Sequence, residues 1–173
     1  MLGPTHRAFS VAAATGVYFF IQPQIPATTI PLAGLQLAIL QGGALCSSTL
    51  PDIDQKLGGT HRGITHTIWI VALLAGITSQ MTNPYWFHLW LGLTCGYFFH
   101  LFGDAFSKAG IAWCYPLQRY EHYSGGAFHV KGCRGPFVPL YSVGDKTWAW
   151  TPIAWWIVAL GLTFLVWRYR IFV

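Results

Sequence analysis

The segment "WFHLWLGLTCGYFFHLFGDAF", residues 86–106, is predominantly apolar and contains His100 and Asp104 near its C-terminal end. A helix needs roughly 20 apolar residues to cross the hydrocarbon core of a bilayer, so this segment is long enough to span it. His100 and Asp104 are spaced i, i+4, which places both side chains on one helix face. Ionisable groups are costly at a membrane helix unless they serve a site. The segment therefore predicts a membrane helix with a functional site at its C-terminal end.

The composition of the whole chain agrees with a membrane protein. Hydrophobic residues make up 54% of the 173 positions and charged residues only 9%, with a mean hydropathy of +0.45. Soluble domains are about 25% charged. We predict one membrane-embedded domain over residues 1–173. The ten basic residues are scattered singly, so a nucleic-acid partner is not expected, and the four cysteines form no CxxC pair, which argues against a zinc ribbon.

Apolar segments recur along the chain and predict helices at about 8–22, 31–48, 65–81, 86–106 and 148–167. The first and third are short for full spans and are expected to end partway into the bilayer, around a polar cavity. The predicted fold is an all-α, polytopic bundle of about five transmembrane or partly inserted helices. Gly92 and Gly96 have the spacing that lets two helices approach closely, here within one chain.

The long loop at 107–147 is expected to lie over the membrane surface and to hold short strands, with a hairpin around "YSGGAF". If the helices alternate in direction, this loop, the loop at 49–64 and the N-terminus lie on one side of the membrane. That side carries eight of the ten basic residues and all five acidic ones. The positive-inside rule therefore predicts a multi-pass protein of a bacterial-type inner membrane whose polar site faces the cytoplasm. The oligomeric state is left open.

Seven side chains of ligand type lie near helix ends on this predicted side. They are His6, Asp52, Asp54, His61, His66, His100 and Asp104. Mixed histidine and aspartate ligands suit Zn²⁺, with Mn²⁺ or Fe²⁺ as alternatives, better than Ca²⁺ or Mg²⁺. Seven ligands exceed the four of one tetrahedral zinc, so two or more ions are expected. His88 has no acidic neighbour and is expected at the bilayer interface instead.

The sequence also allows roles for these residues that involve no catalytic metal. His100 and Asp104 could form a hydrogen bond between packed helices, and Asp52 and Asp54 could cap a turn. A non-enzymatic protein could use His66 and His100 as axial ligands of a b-type haem, although the aspartates would then lack a role. A divalent-metal transporter would instead place its ligands near the bilayer midplane. A membrane scaffold with a structural metal is the remaining alternative.

Four motifs, in the order "THR", "LPDID", "HRGITHT" and "HLFGDAFSKAGIAWCYPL", resemble the YdjM-like family of inner-membrane proteins over residues 5 to about 117. This family, also described as LexA-binding, is regarded as a family of metal-dependent hydrolases. The resemblance implies bound metal at the seven ligand-type residues named above, and it implies hydrolysis. More distantly, "HLFGD" is similar to the H-x-x-G-D element of zinc-dependent phospholipase C and of single-strand-specific zinc nucleases.

Together these features predict a membrane metal-dependent hydrolase, and more specifically a phosphoesterase that acts on a lipid or lipid-linked phosphate through water activated by metal. Membrane lipids are the expected partners, because a site at helix ends lies where lipid headgroups lie. Asp52 or Asp54 is the candidate acceptor of the water proton. Arg62 is the candidate ligand of a nonbridging phosphate oxygen, and Lys108 is expected to assist it as a point charge.

Overall fold

The computed structural model describes residues 3–21, 30–53, 64–106, 111, 113–114, 116–117, 120–122, 128–130 and 151–171. Within these residues the chain forms five α-helices, one 3₁₀ turn and two short strands. In chain order they are α1 (Gly3–Ile21), α2 (Ile30–Ser47), the 3₁₀ turn (Ile64–His66), α3 (Ile68–Ser79), α4 (Pro84–Ala105), β1 (Tyr120–His122), β2 (Phe128–Val130) and α5 (Thr151–Ile171).

The ends of α3 and α4 follow from local chemistry. The side chain of Asn83 caps α4 by accepting hydrogen bonds from the backbone N–H groups of Tyr85, at 2.9 Å, and Trp86, at 3.4 Å. Pro84 occupies the first turn, where a missing N–H costs little. The N–H of Ile68, at the start of α3, donates to the carbonyl oxygen of Trp113 at 2.8 Å. Both helices are therefore fixed at one end, and each lies close to its predicted segment.

The contact between α2 and α4 depends on glycine. A Cβ atom at Gly92 would lie 2.2 Å from the carbonyl oxygen of Leu40, and one at Gly96 would lie 2.3 Å from that of Ala44. A larger residue does not fit at such distances, which confirms the predicted close approach within the chain. The residue numbers differ by 52 in both pairs, so the two helices run in the same direction. Their C-terminal ends consequently lie side by side.

Helix α1 joins this pair to α5. Ser10 of α1 donates a hydrogen bond to the carbonyl oxygen of Gly96 at 3.2 Å. On its other side α1 packs against α5, with the rings of Phe9 and Trp155 at a centroid distance of 4.6 Å. One turn earlier, the hydroxyls of Thr5 and Thr151 are 3.3 Å apart. The start of α5 therefore lies level with the start of α1.

In the described part of the chain, α5 is the one helix long and apolar enough to cross a membrane, over Thr151–Arg168 at a mean hydropathy of 1.4. Many of its large apolar side chains are exposed, Ile157 and Leu160 among them. The apolar stretches Leu32–Ser47 and Ile68–Ser79 are shorter. The five α-helices confirm the predicted all-helical class. The number of membrane spans and the single domain stay predictions.

The long loop contains a small antiparallel pair. Strand β1 pairs with β2, and Glu121 lies opposite His129. The two strands lie on either side of residues 123–127, at the "YSGGAF" stretch for which the sequence predicts a hairpin.

Candidate metal centre

Five polar side chains meet at one end of the helix bundle because of the helix directions. Helices α1 and α3 begin at the end where α2 and α4 finish. The first turn of α1 supplies His6, the turn after α2 supplies Asp52, and the 3₁₀ turn before α3 supplies His66. His100 and Asp104 come from the last two turns of α4. Four separate segments therefore converge, as the alternation of helices predicted.

Four of these side chains form a group with metal-ligand spacing. They are Asp52, His66, His100 and Asp104, and one ligand atom of each lies within 4.8 Å of all the others. His100 Nε2 is 3.5 Å from Asp52 Oδ1 and 3.7 Å from Asp104 Oδ2. His66 Nε2 is 3.7 Å from each of the same two oxygens. Ligands bound to one tetrahedral ion at about 2.0–2.2 Å lie about 3.3–3.6 Å apart, so small inward movements complete such a site.

The orientation of His100 indicates which atom faces the group. Its Nδ1 is 2.6 Å from the backbone carbonyl oxygen of Ser48. A carbonyl oxygen only accepts, so Nδ1 carries the proton and, in the neutral ring, Nε2 carries a lone pair. Among the described residues this buried Nε2 has no hydrogen-bond partner, although two carboxylates lie beside it. Lone pairs facing carboxylates repel unless a cation lies among them, and a ring N–H donated to a backbone carbonyl is typical of metal-bound histidine. The residues fit a divalent metal ion.

His66 is held by groups of its own turn and of α4. Its Nδ1 is 3.1 Å from the hydroxyl oxygen of Thr65. The hydroxyl of Tyr97 in turn donates to the backbone carbonyl of Thr65, which ties the 3₁₀ turn to α4. His66 itself is fully buried. Supporting contacts of this kind orient the imidazole ring of a histidine before it binds a metal ion.

His6 lies beside the group rather than inside it. Its Nε2 is 3.2 Å from Asp104 Oδ1, and its ring stacks on that of His100 at a centroid distance of 4.0 Å. The two oxygens of Asp104 therefore face different histidines. Oδ1 faces His6, and Oδ2 faces His66 and His100. Asp104 thus contacts both His6, on one side of its carboxylate, and the pair His66 and His100, on the other.

Burial and charge set the protonation states at the edge of the centre. Burial on its own would raise the pKa of Asp52, whereas the rings of His100 and His66, when they carry a proton toward its carboxylate, lower that pKa well below its usual range. Burial lowers the pKa of His6 to about 4, although its contact with Asp104 opposes the change. Near neutral pH the centre therefore contains ionised Asp52 and neutral His6, and both forms can bind a cation.

A family model described as YdjM inner membrane protein matches residues 1–172. The chain belongs to this family. Comparison with curated proteins and with solved structures gave no match. Membership in the YdjM family identifies an inner membrane protein, in agreement with the composition and with the exposed apolar surface of α5.

Of the seven ligand-type residues predicted for this YdjM-family chain, the structure brings five together. They are His6, Asp52, His66, His100 and Asp104. The remaining two, Asp54 and His61, lie outside the described residues, as do Arg62 and Lys108. Their roles stay predictions.

One prediction for the far end of α4 needs correction. His88 was expected at the bilayer interface, but its side chain is buried inside the protein at the opposite end of α4. The N-terminal half of α4 is apolar around most of its circumference, so no periodic signal indicated the direction of this side chain. Ser48 and Tyr97 were not among the residues predicted for the centre. Ser48 acts through its backbone, which leaves no side-chain signal, whereas Tyr97 lies one helical turn before His100 and could have been considered.

Proposed function

We propose that this YdjM-family protein is a polytopic, metal-dependent membrane hydrolase, and that it acts as a phosphoesterase on a lipid or lipid-linked phosphate. The observation that carries the proposal is the convergence of Asp52, His66, His100 and Asp104. Three of them are buried, and the side chain of Asp52 is 31% exposed. A centre with one accessible side is typical of catalytic metal sites, whereas structural sites are closed.

Two ions fit the arrangement better than one. The four clustered residues would hold one ion, and the contact of His6 Nε2 with Asp104 Oδ1, at 3.2 Å, lies on the other side of the Asp104 carboxylate. We propose that Asp104 would help to hold both ions and that His6 would help to hold the second. Asp54 and His61 are the proposed remaining ligands. Zn²⁺ is the preferred ion for this donor set, with Mn²⁺ or Fe²⁺ as alternatives.

The depth of the centre favours a lipid substrate. Thr151, the first residue of the apolar stretch of α5, contacts Thr5 next to His6. If α5 crosses the membrane, the centre lies at the bilayer boundary, where the phosphates of lipids also lie. The shorter apolar helices α2 and α3 would complete a polytopic bundle in a thinned or partly inserted arrangement. The predicted charge distribution places this boundary on the cytoplasmic face of the inner membrane.

Each protein group then has a defined task in hydrolysis. Divalent ions of this kind, when bound, lower the pKa of water and neutralise the charge that develops on a phosphate. Asp52 is ionised and partly exposed, so it is the proposed acceptor of the proton from the attacking water, with Asp54 as the alternative. Arg62 is proposed to bind a nonbridging phosphate oxygen, and Lys108 to add a second positive charge.

Metal analysis combined with an activity assay tests the proposal. The protein, purified in detergent and returned to lipid vesicles, is expected to contain about two equivalents of metal. It should release phosphate or a phosphorylated headgroup from phosphatidic acid, phosphatidylglycerol or a polyprenyl phosphate presented in vesicles. His100→Ala should lose both metal and activity. His88→Phe, a matched change in the same helix, should keep both if it folds.

The non-enzymatic alternatives predict different results in the same preparation. A Soret absorption band would indicate haem, and accumulation of Zn²⁺ or Mn²⁺ inside vesicles without hydrolysis would indicate transport. Bound metal without turnover of any of the phosphate esters would contradict the hydrolase proposal and support a structural metal.

A further inference from the structure

A second polar pair lies at the far end of α2 and α4. Gln36 of α2 and His88 of α4 are buried, with exposed fractions of 0% and 1%. Their residue numbers differ by 52, as do those of Leu40 and Gly92, which are in contact one turn further along. Ser48 and His100 show the same difference at the metal centre. The register of the two parallel helices therefore places Gln36 and His88 at the same level of their seam.

Both side chains carry polar atoms that have no hydrogen-bond partner within the described part of the chain. These atoms are Nε2 and Oε1 of Gln36 and Nε2 of His88. His88 Nδ1 is 2.6 Å from the carbonyl oxygen of Pro84, so Nδ1 carries the proton and Nε2 of the neutral ring is an acceptor. Buried polar groups are nearly always paired, because leaving them unpaired costs their full desolvation. Two such side chains at one level of one helix seam point to a shared ligand.

The surroundings decide the class of that ligand. Asp52 and Asp104, which supply the negative charge at the metal centre, lie at the opposite end of α2 and α4. The neighbours of His88 are aromatic, with the ring of Tyr18 at 5.5 Å and that of Phe87 at 5.4 Å. The Tyr18 hydroxyl is already used, because it donates to the carbonyl oxygen of Ala33 at 3.1 Å. A cation would lack a charged ligand in this set, so the ligand must be small, neutral and able to donate hydrogen bonds.

We propose that Gln36 and His88 bind one buried water molecule between α2 and α4. The water donates one hydrogen to His88 Nε2 and the other to Gln36 Oε1, or accepts from the Gln36 amide. Buried waters of this kind typically make about three hydrogen bonds to otherwise unsatisfied groups. This site fixes the register of the helix pair at the end remote from the metal centre. The same register brings the carbonyl of Ser48 to His100.

A double-mutant cycle in thermal unfolding tests the coupling. Gln36→Leu and His88→Phe should each lower the melting temperature by about 2–4 °C in detergent. The double variant should lose clearly less than the sum, because either change alone leaves the water with too few partners. Gln41→Leu with His88→Phe is the matched control. The Gln41 amide donates to Thr15 and Thr163, away from this pair, so that cycle should be additive. Additivity in the Gln36 and His88 cycle would overturn the proposal.

A structure of the unmodified protein at a resolution that shows waters completes the test and needs no variant to fold. Density for one water within hydrogen-bond distance of His88 Nε2 and the Gln36 amide supports the proposal. A direct Gln36–His88 hydrogen bond without water would also couple the two variants, and it would refute the water site. A metal ion at this position, identified by anomalous scattering, would refute it too.

Discussion

Helix α4 contains two buried histidines that are oriented by the same kind of contact, although His88 uses a carbonyl of its own helix and His100 uses the carbonyl of Ser48. His88 and His100 each place Nδ1 at 2.6 Å from a backbone carbonyl oxygen, and Nε2 of each has no hydrogen-bond partner among the residues that the structure describes. The difference lies in what faces Nε2. At His100 it is the carboxylates of Asp52 and Asp104, and at His88 it is an uncharged, aromatic surrounding. Ring orientation therefore prepares a histidine for a ligand, whereas neighbouring charge selects a cation over a neutral molecule.

Removing the negative charge at the metal centre should make the surroundings of His100 as uncharged as those of His88. Of the changes considered, this one should have the largest effect. The isosteric double variant Asp52→Asn, Asp104→Asn keeps the histidines and the side-chain shapes but leaves the centre neutral. We expect the affinity for Zn²⁺ to fall by more than about 100-fold, since carboxylates supply the negative charge in this ligand set. Isothermal titration calorimetry with Zn²⁺ measures the affinity. Gln36→Leu, at the end of α2 remote from the metal centre, is the control. Unchanged affinity in the double variant would show that charge is not what separates the two ends.

Acid should destabilise the metal-free protein through His6. The pKa of His6 is about 4 in the folded chain and 6.5 in a model compound, so the unfolded chain binds the proton first as the pH falls. The resulting stability is present above pH 6.5 and is lost between pH 6.5 and about 4, by about 3 kcal/mol in total.

Thermal unfolding with a chelator, measured across this pH range, tests the contribution of His6. His6→Gln should flatten the decrease between pH 6.5 and 4, because it removes the titrating group. The lowered pKa of Asp52 has the same sign of linkage as that of His6, but it acts in a lower pH range. It stabilises the fold above the usual carboxylate pKa and is lost only at still lower pH, so it does not mask the effect of His6. An identical pH profile in wild type and His6→Gln would contradict the assignment.

Separating α2 from α4 should disturb both ends together. In Gly92→Ala the added Cβ would lie 2.2 Å from the Leu40 carbonyl oxygen, so the helices must move apart. Overpacking of this kind costs about 1–3 kcal/mol of unfolding free energy. Gly76→Ala, where a Cβ meets no described atom within 4 Å, is the matched control in α3. Unfolding in denaturant should show the loss in the first variant and no loss in the second; equal stabilities would contradict the close contact.

Loosening the support of His66 should have the smallest effect. Tyr97→Phe removes the hydrogen bond from the Tyr97 hydroxyl to the Thr65 carbonyl and leaves every ligand in place. We expect metal affinity to fall about 10-fold, as for other groups that orient a ligand, with the number of bound ions unchanged at saturation. A competition assay with a chromogenic chelator measures the affinity. Loss of an ion at saturating metal would mean that Tyr97 is more than a support.

The sequence predicted the helices and the convergence of ligands because both depend on local patterns. Apolar segment lengths placed the ends of α2 to α5 within four residues, and the i, i+4 spacing of His100 and Asp104 placed both on one face. Alternating helix directions then brought His6, Asp52 and His66 to the same end. These inferences need only the period of a helix and the direction of the chain.

The remaining features depend on how helices pack, which the local pattern does not encode. The register between α2 and α4 is set by contacts such as Gly96 against Ala44, and it alone brings the Ser48 carbonyl to His100. Helix α1 begins at Gly3 rather than near residue 8, because Pro4 is tolerated in a first turn, and His6 therefore lies inside the helix. The burial of His88 follows from the same packing.

The partial exposure of Asp52 has a kinetic consequence. The other three ligands of the cluster are buried, so among the described residues Asp52 is the side chain through which the cluster meets the surrounding medium. An ion that enters or leaves on this side exchanges its hydration shell with that carboxylate first. The time needed to load the centre, and the time a chelator needs to strip it, are therefore set by the mobility of one side chain at its entrance.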